Sequence, residues 1–507
     1  MRTIRRNEFR SDTNQIFCLC LPYVFSYVLE LLLIPAVSNV FMGWIGQQEF
    51  NACALARTLY LLFGYSCYFG LTYACDTLLS QAFGGNKRQM GVVIQRGFLI
   101  GSFGVLFSWI FLVNIRYFIP FIEKNEQSIR LINQYLLFSM IMVPCETFSL
   151  LMQKFVINHG VTWPLLVINT IGNLVNILAH CLLLYVFKFS VAAPPIAFAL
   201  SYLTMGLSCI IYIRLSSVSK DTWHPWTREC LQDWSTYVML GIPGVLISSL
   251  QSLVYAGSIL FASIFSEDAI TTQNVVFYVD FCIFLVTLSF AVSATIVLGR
   301  YLGANLYEKA MQVKNTIYII VWLPISATIL GSLLVIYWIP YLFHIPDSAR
   351  NSTRYLLLMV VICCSADFYH LSQASILRAC GRQYFDAILS FTSYCFVGIP
   401  MGILLIFVLH LNMFGYWLAL IASLLVTNIV FYIYIRKIDW KEQAERAQMN
   451  IASNTQDISD HTPLLPADNA RNEPSLLDTI RTKLFVFVLL LLLLVSSLIF
   501  CFKFASY

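Results

Sequence analysis

Apolar residues run along this chain in long blocks separated by short polar stretches, and the block length predicts the architecture. Crossing ~30 Å of hydrocarbon at ~1.5 Å per helical residue takes ~20 apolar residues. Thirteen blocks reach that length, near 16–44, 52–80, 91–115, 130–153, 163–186, 190–214, 236–264, 271–299, 315–340, 354–377, 384–410, 413–436 and 483–502. The last is the cleanest, since Leu484–Phe502 carries no charge. Backbone groups in lipid must bond within their own segment, so each block is read as a helix.

The polar stretches fix an orientation. With the N-terminus in the cytoplasm, one side gathers seventeen basic residues, among them Arg2, Arg10, Lys87, Arg88, Lys154, Arg300, Arg378, Arg382 and Lys437. The other side has six: Arg116, Lys124, Arg130, Lys188, Arg350 and Arg354. Positive charge marks the cytoplasmic side. The thirteenth span then carries the C-terminus outside or into a lumen. Asn351-Ser352-Thr353 falls outside, making Asn351 a glycosylation candidate.

The chain also answers itself. Leu21-Pro22 opens the first block and Ile242-Pro243 the seventh, a shift of 221 residues. Phe83-Gly84-Gly85-Asn86 matches Leu302-Gly303-Ala304-Asn305, and Gly160 matches Gly381. Six crossings per unit is even, so both units run the same way. The expectation is a parallel repeat with the substrate between its halves.

The predicted fold is therefore an all-α polytopic membrane protein of two pseudo-symmetric six-helix lobes plus a thirteenth C-terminal helix. Its parts are an N-lobe over 1–215, a cytoplasmic linker over 216–235, a C-lobe over 236–437, a disordered polar tail over 438–481 and the last helix over 482–507. Composition agrees: 59% of residues are hydrophobic and 11% charged, with a mean hydropathy of +0.75. A soluble fold has too much surface for that. Arg2, Arg5, Arg6 and Arg10 precede an apolar run far longer than a signal peptide's, so cleavage is not expected. No basic stripe with interleaved aromatics suggests nucleic acid. The fifteen cysteines sit singly or in close pairs and are read as small hydrophobes, with no metal site expected.

Ala74-Cys75-Asp76-Thr77-Leu78-Leu79-Ser80-Gln81, Gly91-Val92-Val93-Ile94-Gln95-Arg96, Glu229-Cys230-Leu231-Gln232-Asp233-Trp234, Asn173-Leu174-Val175-Asn176, Leu377-Arg378 and Val397-Gly398-Ile399-Pro400 stand out along the chain. Together they are similar to the multidrug and toxin extrusion (MATE) transporters of animals. The resemblance covers roughly 16–445. It implies two lobes around a V-shaped cleft, rocker-like alternation, and export of organic cations in exchange for protons. Of the C-lobe acids it implies, one is present as Asp367; the other positions hold Gln251, Ala256 and Tyr278. Asp280 lies two residues beyond Tyr278, ~200° round the helix, which makes it a doubtful replacement. Asn39 stands where many prokaryotic members carry an Asp.

Intramembrane acids are costly to insert and are functional candidates by default. Asp367 is the first candidate for proton or cation coupling, against a carboxylate neutralised by Arg378. Glu146 lies 221 residues before it. The repeat would set the two across the cleft, unless Glu146 caps groups freed by Pro144. Glu30 precedes Gln251 by the same shift and either replaces a missing acid or pairs with Arg57, which itself answers Tyr278. Gln251, Tyr255, Tyr278, Asp280, Asn39, Arg57 and Asn176 complete the expected cavity. Phe277 and Tyr301 join the nearby aromatics, which suit planar cations but equally serve as lipid anchors. Pro22, Pro35 and Pro243 are expected kinks.

In the tail, Asp460-His461-Thr462-Pro463-Leu464-Leu465 resembles the acidic dileucine signal, with Asp460, Leu464 and Leu465 meeting a sorting adaptor. The plasma membrane is the expected location, with endosomal or lysosomal membranes the alternative. The leading expectation is thus a secondary transporter exporting xenobiotic organic cations against protons, with no cofactor beyond the proton gradient. Its partners are a small-molecule cation and membrane lipid, and no enzyme constellation is found. A translocator of a lipid or neutral metabolite is the alternative on the same fold. A non-transporting receptor or scaffold is the alternative of another class.

Overall fold

The computed structural model describes residues 2–216, 220–265, 267–343 and 345–452. The side chain of Tyr255, the thirteenth span, Asp460, Leu464 and Leu465 lie outside the described residues. Among those described, eleven helices are long and apolar enough to cross a membrane. They are spans 1 (Glu8–Ile45), 3 (Gln89–Tyr117), 4 (Glu126–Asn158), 5 (Trp163–Val186), 6 (Ala193–Leu215), 7 (Trp234–Ile259), 8 (Ala269–Gly303), 9 (Tyr307–Val335), 10 (Ala349–Ala379), 11 (Gln383–Val408) and 12 (Asn412–Arg436).

The block expected at 52–80 differs from the others. Span 2 is segmented: α-helix over Gln47–Tyr60, a π-helical turn over Leu61–Tyr65, α-helix over Ser66–Leu71, then a further helix over Tyr73–Gly84. The break at Thr72 holds because its hydroxyl donates to the Phe69 carbonyl at 2.7 Å, replacing a helical bond with a local turn. A short amphipathic helix, Trp440–Ala452, follows span 12.

The repeat is visible in local geometry. Span 4 and the helix Asp347–Ala379 that carries span 10 are both 33 residues long. Each ends in a glycine with positive φ, +82° at Gly160 and +70° at Gly381, the left-handed conformation that closes a helix without a Cβ penalty. Short helices Ile119–Ile122 and Ile339–Leu342 sit before both, each with proline at its second position. Spans 5 and 11 both finish in π-helical turns, Leu182–Val186 and Leu404–Val408.

Burial follows the inverted logic of a membrane protein. On span 5, Leu174, Leu178 and Leu182 point outward, while Asn169, Asn173, Asn176 and His180 face in. Those amides support span 1 where its helix widens to a π turn over Val28–Leu33 before Pro35. The side-chain NH2 groups of Asn169, Asn173 and Asn176 donate to the carbonyls of Ser26, Leu29 and Ile34 at 3.2, 2.9 and 3.2 Å. Carbonyls loosened by the changed register thus keep partners in a solvent that offers none.

The lobes meet at the end where the basic residues gather. Tyr73–Gly84 of span 2 lies against the end of span 8 so closely that a Cβ on Gly84 would strike the Arg300 carbonyl. One on Gly303 would likewise strike that of Gln81. Across the same seam Thr77 donates to the Arg378 carbonyl at 2.7 Å, Gln81 to that of Ala379 at 2.9 Å, and Arg300 to that of Asn158 at 2.6 Å. The linker folds back on span 3, where Gln95 donates to the carbonyls of His224 and Pro225.

Candidate functional site

Spans 7, 8, 10, 11 and 12 enclose a cavity of about 720 Å³, mouth included. Gln251 lines it from span 7, Asp280 and Phe284 from span 8, and Asp367 and His370 from span 10. Tyr394 closes the side facing span 11, and Tyr416 and Trp417 that facing span 12. Asp280 accepts the Cys364 thiol at 3.0 Å, and Trp417 donates to Gln273 at 3.2 Å. Two carboxylates and four aromatic rings therefore share one pocket.

Asp280 is here because of the rotation that made it look unsuitable. Tyr278 is 44% exposed on the outside of span 8 and does not line the cavity. The face opposite Tyr278 is the inner one, and Asp280 sits on it. Thr272, Val276, Asp280, Ile283 and Thr287, spaced three and four apart, are all buried. That helical stripe is in the sequence and marks the inner face. Tyr301, expected near the cleft, instead reaches toward Asp12, and Phe277 stacks on Phe281. His370 was not singled out by sequence at all.

The other expected acids do not join this cavity. Glu146 and Asp367 occupy equivalent places, each twenty residues past the first of its 33-residue helix. Yet Glu146 is held inside its own lobe, where Tyr60 donates to it at 2.5 Å and the Tyr60 hydroxyl meets that of Tyr68 at 2.7 Å. It caps no backbone at Pro144. Glu30 lies in the π turn of span 1 and accepts Gln153 at 3.0 Å and Asn169 at 3.3 Å. It forms no ion pair with Arg57, whose guanidinium stands 5.4 Å from the Phe198 ring centroid. Asn176, expected in the cavity, is buried against span 1 as described above, and Asn39 is half-buried on span 1. The acids thus form two groups, one in each lobe.

Arg378, weighed as the counter-charge of Asp367, serves another carboxylate. At the closed end Lys154 of span 4 lies 2.8 Å from Asp76 Oδ1 and donates to Oδ2 at 2.9 Å. Arg378 of span 10 approaches the same carboxylate at 3.8 Å and lies 4.1 Å from the Tyr73 ring centroid. All three charges are buried, so this cluster ties the two lobes together at the end where they meet. Asn351 is exposed in the first turns of its helix and accepts Arg354 at 3.1 Å. Among the described residues no group of three His, Cys, Asp or Glu side chains is placed to hold a metal ion.

Two parallel halves with the same local geometry have a family-level counterpart. The MatE family model matches the chain twice, over residues 22–182 and 243–404. The chain belongs to the MatE family. The two matches begin 221 residues apart, at Pro22 and Pro243, which is the shift of the internal repeat. Multidrug and toxin extrusion protein 1 of Danio rerio is 28% identical over 88% of this chain and 76% of its own length. The protein of that name in Homo sapiens is 27% identical over 89% and 79%. The eukaryotic MATE transporter AtDTX14 superposes with a TM-score of 0.81 at 18% identity, covering 88% of this chain and 100% of its own. The Vibrio cholerae MATE transporter VcmN, in a bent form, gives 0.72 at 16% identity over 88% and 99%. The MatE fold thus embraces both lobes, and this member is a multi-pass membrane protein.

Proposed function

We propose that the protein is a secondary active exporter that trades xenobiotic organic cations for protons through the C-lobe cavity. The observation that carries this is the joint lining of that cavity by Asp280, Asp367 and the rings of Phe284, Tyr394, Tyr416 and Trp417. Aromatic faces attract cations, and two carboxylates in one pocket repel each other unless a proton or another cation joins them. Substrate and proton then compete for the same oxygens, which is the requirement for exchange. The relatives named multidrug and toxin extrusion proteins support the same reading.

The cycle needs the cavity to face each side of the membrane in turn. The Asp76–Lys154–Arg378 cluster and the span 2–span 8 seam close the basic end. With that end cytoplasmic, as the charge asymmetry indicates, the described conformation faces outward. A neutral metabolite or lipid would gain nothing from the paired acids, and a scaffold has no use for the cavity. Glu30 and Glu146 form a second proton-carrying group in the N-lobe, walled off from the substrate by their own hydrogen bonds.

The test is uptake by proteoliposomes carrying the purified chain, with a pH gradient imposed and cationic, anionic and neutral solutes compared. Cation uptake that rises with the gradient and collapses with a protonophore is the expected result. Equal uptake with and without a gradient, or preference for the neutral solute, overturns the reading.

A further inference from the structure

His370 lines the C-lobe cavity one turn beyond Asp367 on span 10. Its ring stacks on Phe431, with centroids 5.2 Å apart and planes inclined by 19°. It is 7% exposed, and its buried Nδ1 has no partner among the described residues. His159, which caps a helix, and His180, within one, each place Nδ1 against the carbonyl four residues earlier, Phe155 at 2.7 Å and Asn176 at 2.9 Å. For His370 the corresponding carbonyl is Ala366, and the Asn428 amide of span 12 already occupies it at 2.9 Å. A carbonyl offers two lone pairs, one of which serves the helix itself. Asn428 therefore leaves the imidazole uncommitted.

A buried polar group without a partner is a standing cost, relieved when a ligand supplies the missing bond. Asp367, on the same face, also has no hydrogen-bond or ion-pair partner among the described residues, whereas Asp280 already accepts Cys364. Asp367 and His370 thus bring an unpartnered carboxylate and an unpartnered ring nitrogen to one cavity lining, one helical turn apart. The geometry points to a substrate class: cations that carry N–H donors, meaning protonated amines and amidines, over quaternary ammonium ions of the same shape, with His370 as the discriminating residue. A quaternary ion satisfies the carboxylate's charge and the rings equally well but leaves the imidazole unpaired. Sites built around a hydrogen bond reject analogues that lack it far more strongly than apolar pockets reject a size change. This rests on the cavity being the cation site.

The experiment compares binding of 4-phenylpiperidinium and N,N-dimethyl-4-phenylpiperidinium to the purified full chain by calorimetry. It is run at about pH 8, above the ordinary imidazole range. The two ions share a skeleton and a charge and differ in replacing N–H by methyl. The wild type is expected to prefer the N–H ion by about tenfold or more, the size expected of one buried hydrogen bond. His370→Ala should bring the ratio close to one by weakening the N–H ion alone. His370→Gln, which keeps a hydrogen-bonding group, should retain most of the preference and show that the pocket still folds. Equal affinities in the wild type, or a preference that survives in His370→Ala, overturn the inference while leaving the cation site intact. Binding of neither ion overturns the cation reading itself.

Discussion

Asp367 and Asp280 are neighbours in space but play unequal parts. Asp367 has no hydrogen-bond or ion-pair partner among the described residues, while Asp280 is held by the Cys364 thiol. Asp367→Asn should abolish gradient-driven cation uptake, because an amide cannot alternate between charged and neutral forms, and the protein should still fold since an intramembrane charge is removed. Asp280→Asn should lower uptake and shift its pH dependence. Full proton-driven transport by Asp367→Asn would move coupling to Glu30 and Glu146. At the other end of the molecule, Lys154→Ala leaves Asp76 buried with only a distant Arg378. Removing one partner of a buried pair costs about 3–5 kcal/mol, so thermal stability in detergent should fall clearly. Lys154→Met combined with Asp76→Asn should recover part of the loss, because no lone charge is left behind.

Span 1 shows how a helix can deviate from regular geometry in lipid at little cost. Its π turn and Pro35 loosen the backbone over Val28–Leu33, and Asn169, Asn173 and Asn176 of span 5 meet the carbonyls. Interhelical bonds of this kind average about 0.6 kcal/mol in membranes, so one alanine is tolerated. Replacing all three amides by leucine should raise amide exchange across residues 26–34 while spans 7–12 remain protected. Unchanged exchange there would show that packing alone holds span 1. The sequence motif around Asn173 and Asn176 was legible, but its purpose was not. A single pair of asparagines reads as cavity lining until their spacing is set against the carbonyls of another helix.

At the scale of the molecule, the closed end depends on glycines that let two helices touch. Gly303→Val should hold the seam between spans 2 and 8 apart, since its side chain would meet the Gln81 carbonyl. The buried Cys75 of span 2 and Cys380 at the end of span 10 should then become reactive to a water-soluble maleimide, and transport should stop. Silent cysteines together with lost transport would mean that the mutation acts elsewhere. The dileucine reading of the tail, which lies outside the described residues, carries a prediction about location. Exchanging Leu464 and Leu465 for alanine should move the protein from endolysosomal membranes toward the cell surface, as seen by surface biotinylation. An unchanged surface fraction would leave the dileucine without a role.

The sequence by itself determined what depends on transfer into lipid and on repetition. Block length gave eleven of its expected crossings among the described residues, and the 221-residue echo of Pro22 in Pro243 and Gly160 in Gly381 gave the two halves. These are properties of single segments, because each helix must satisfy its own backbone and each glycine turn its own φ. The sequence also named the acids. It could not say which of them meet, since the face a side chain presents depends on the neighbours that cover the helix. Asp280 entered the cavity because Tyr278 faces out; Glu146 left it because Tyr60 claims its carboxylate. Arg378 went to Asp76, and the imidazole of His370 was freed by an asparagine fifty-eight residues away in the chain. Partners distant in sequence are a matter of packing, and only the folded bundle settles them.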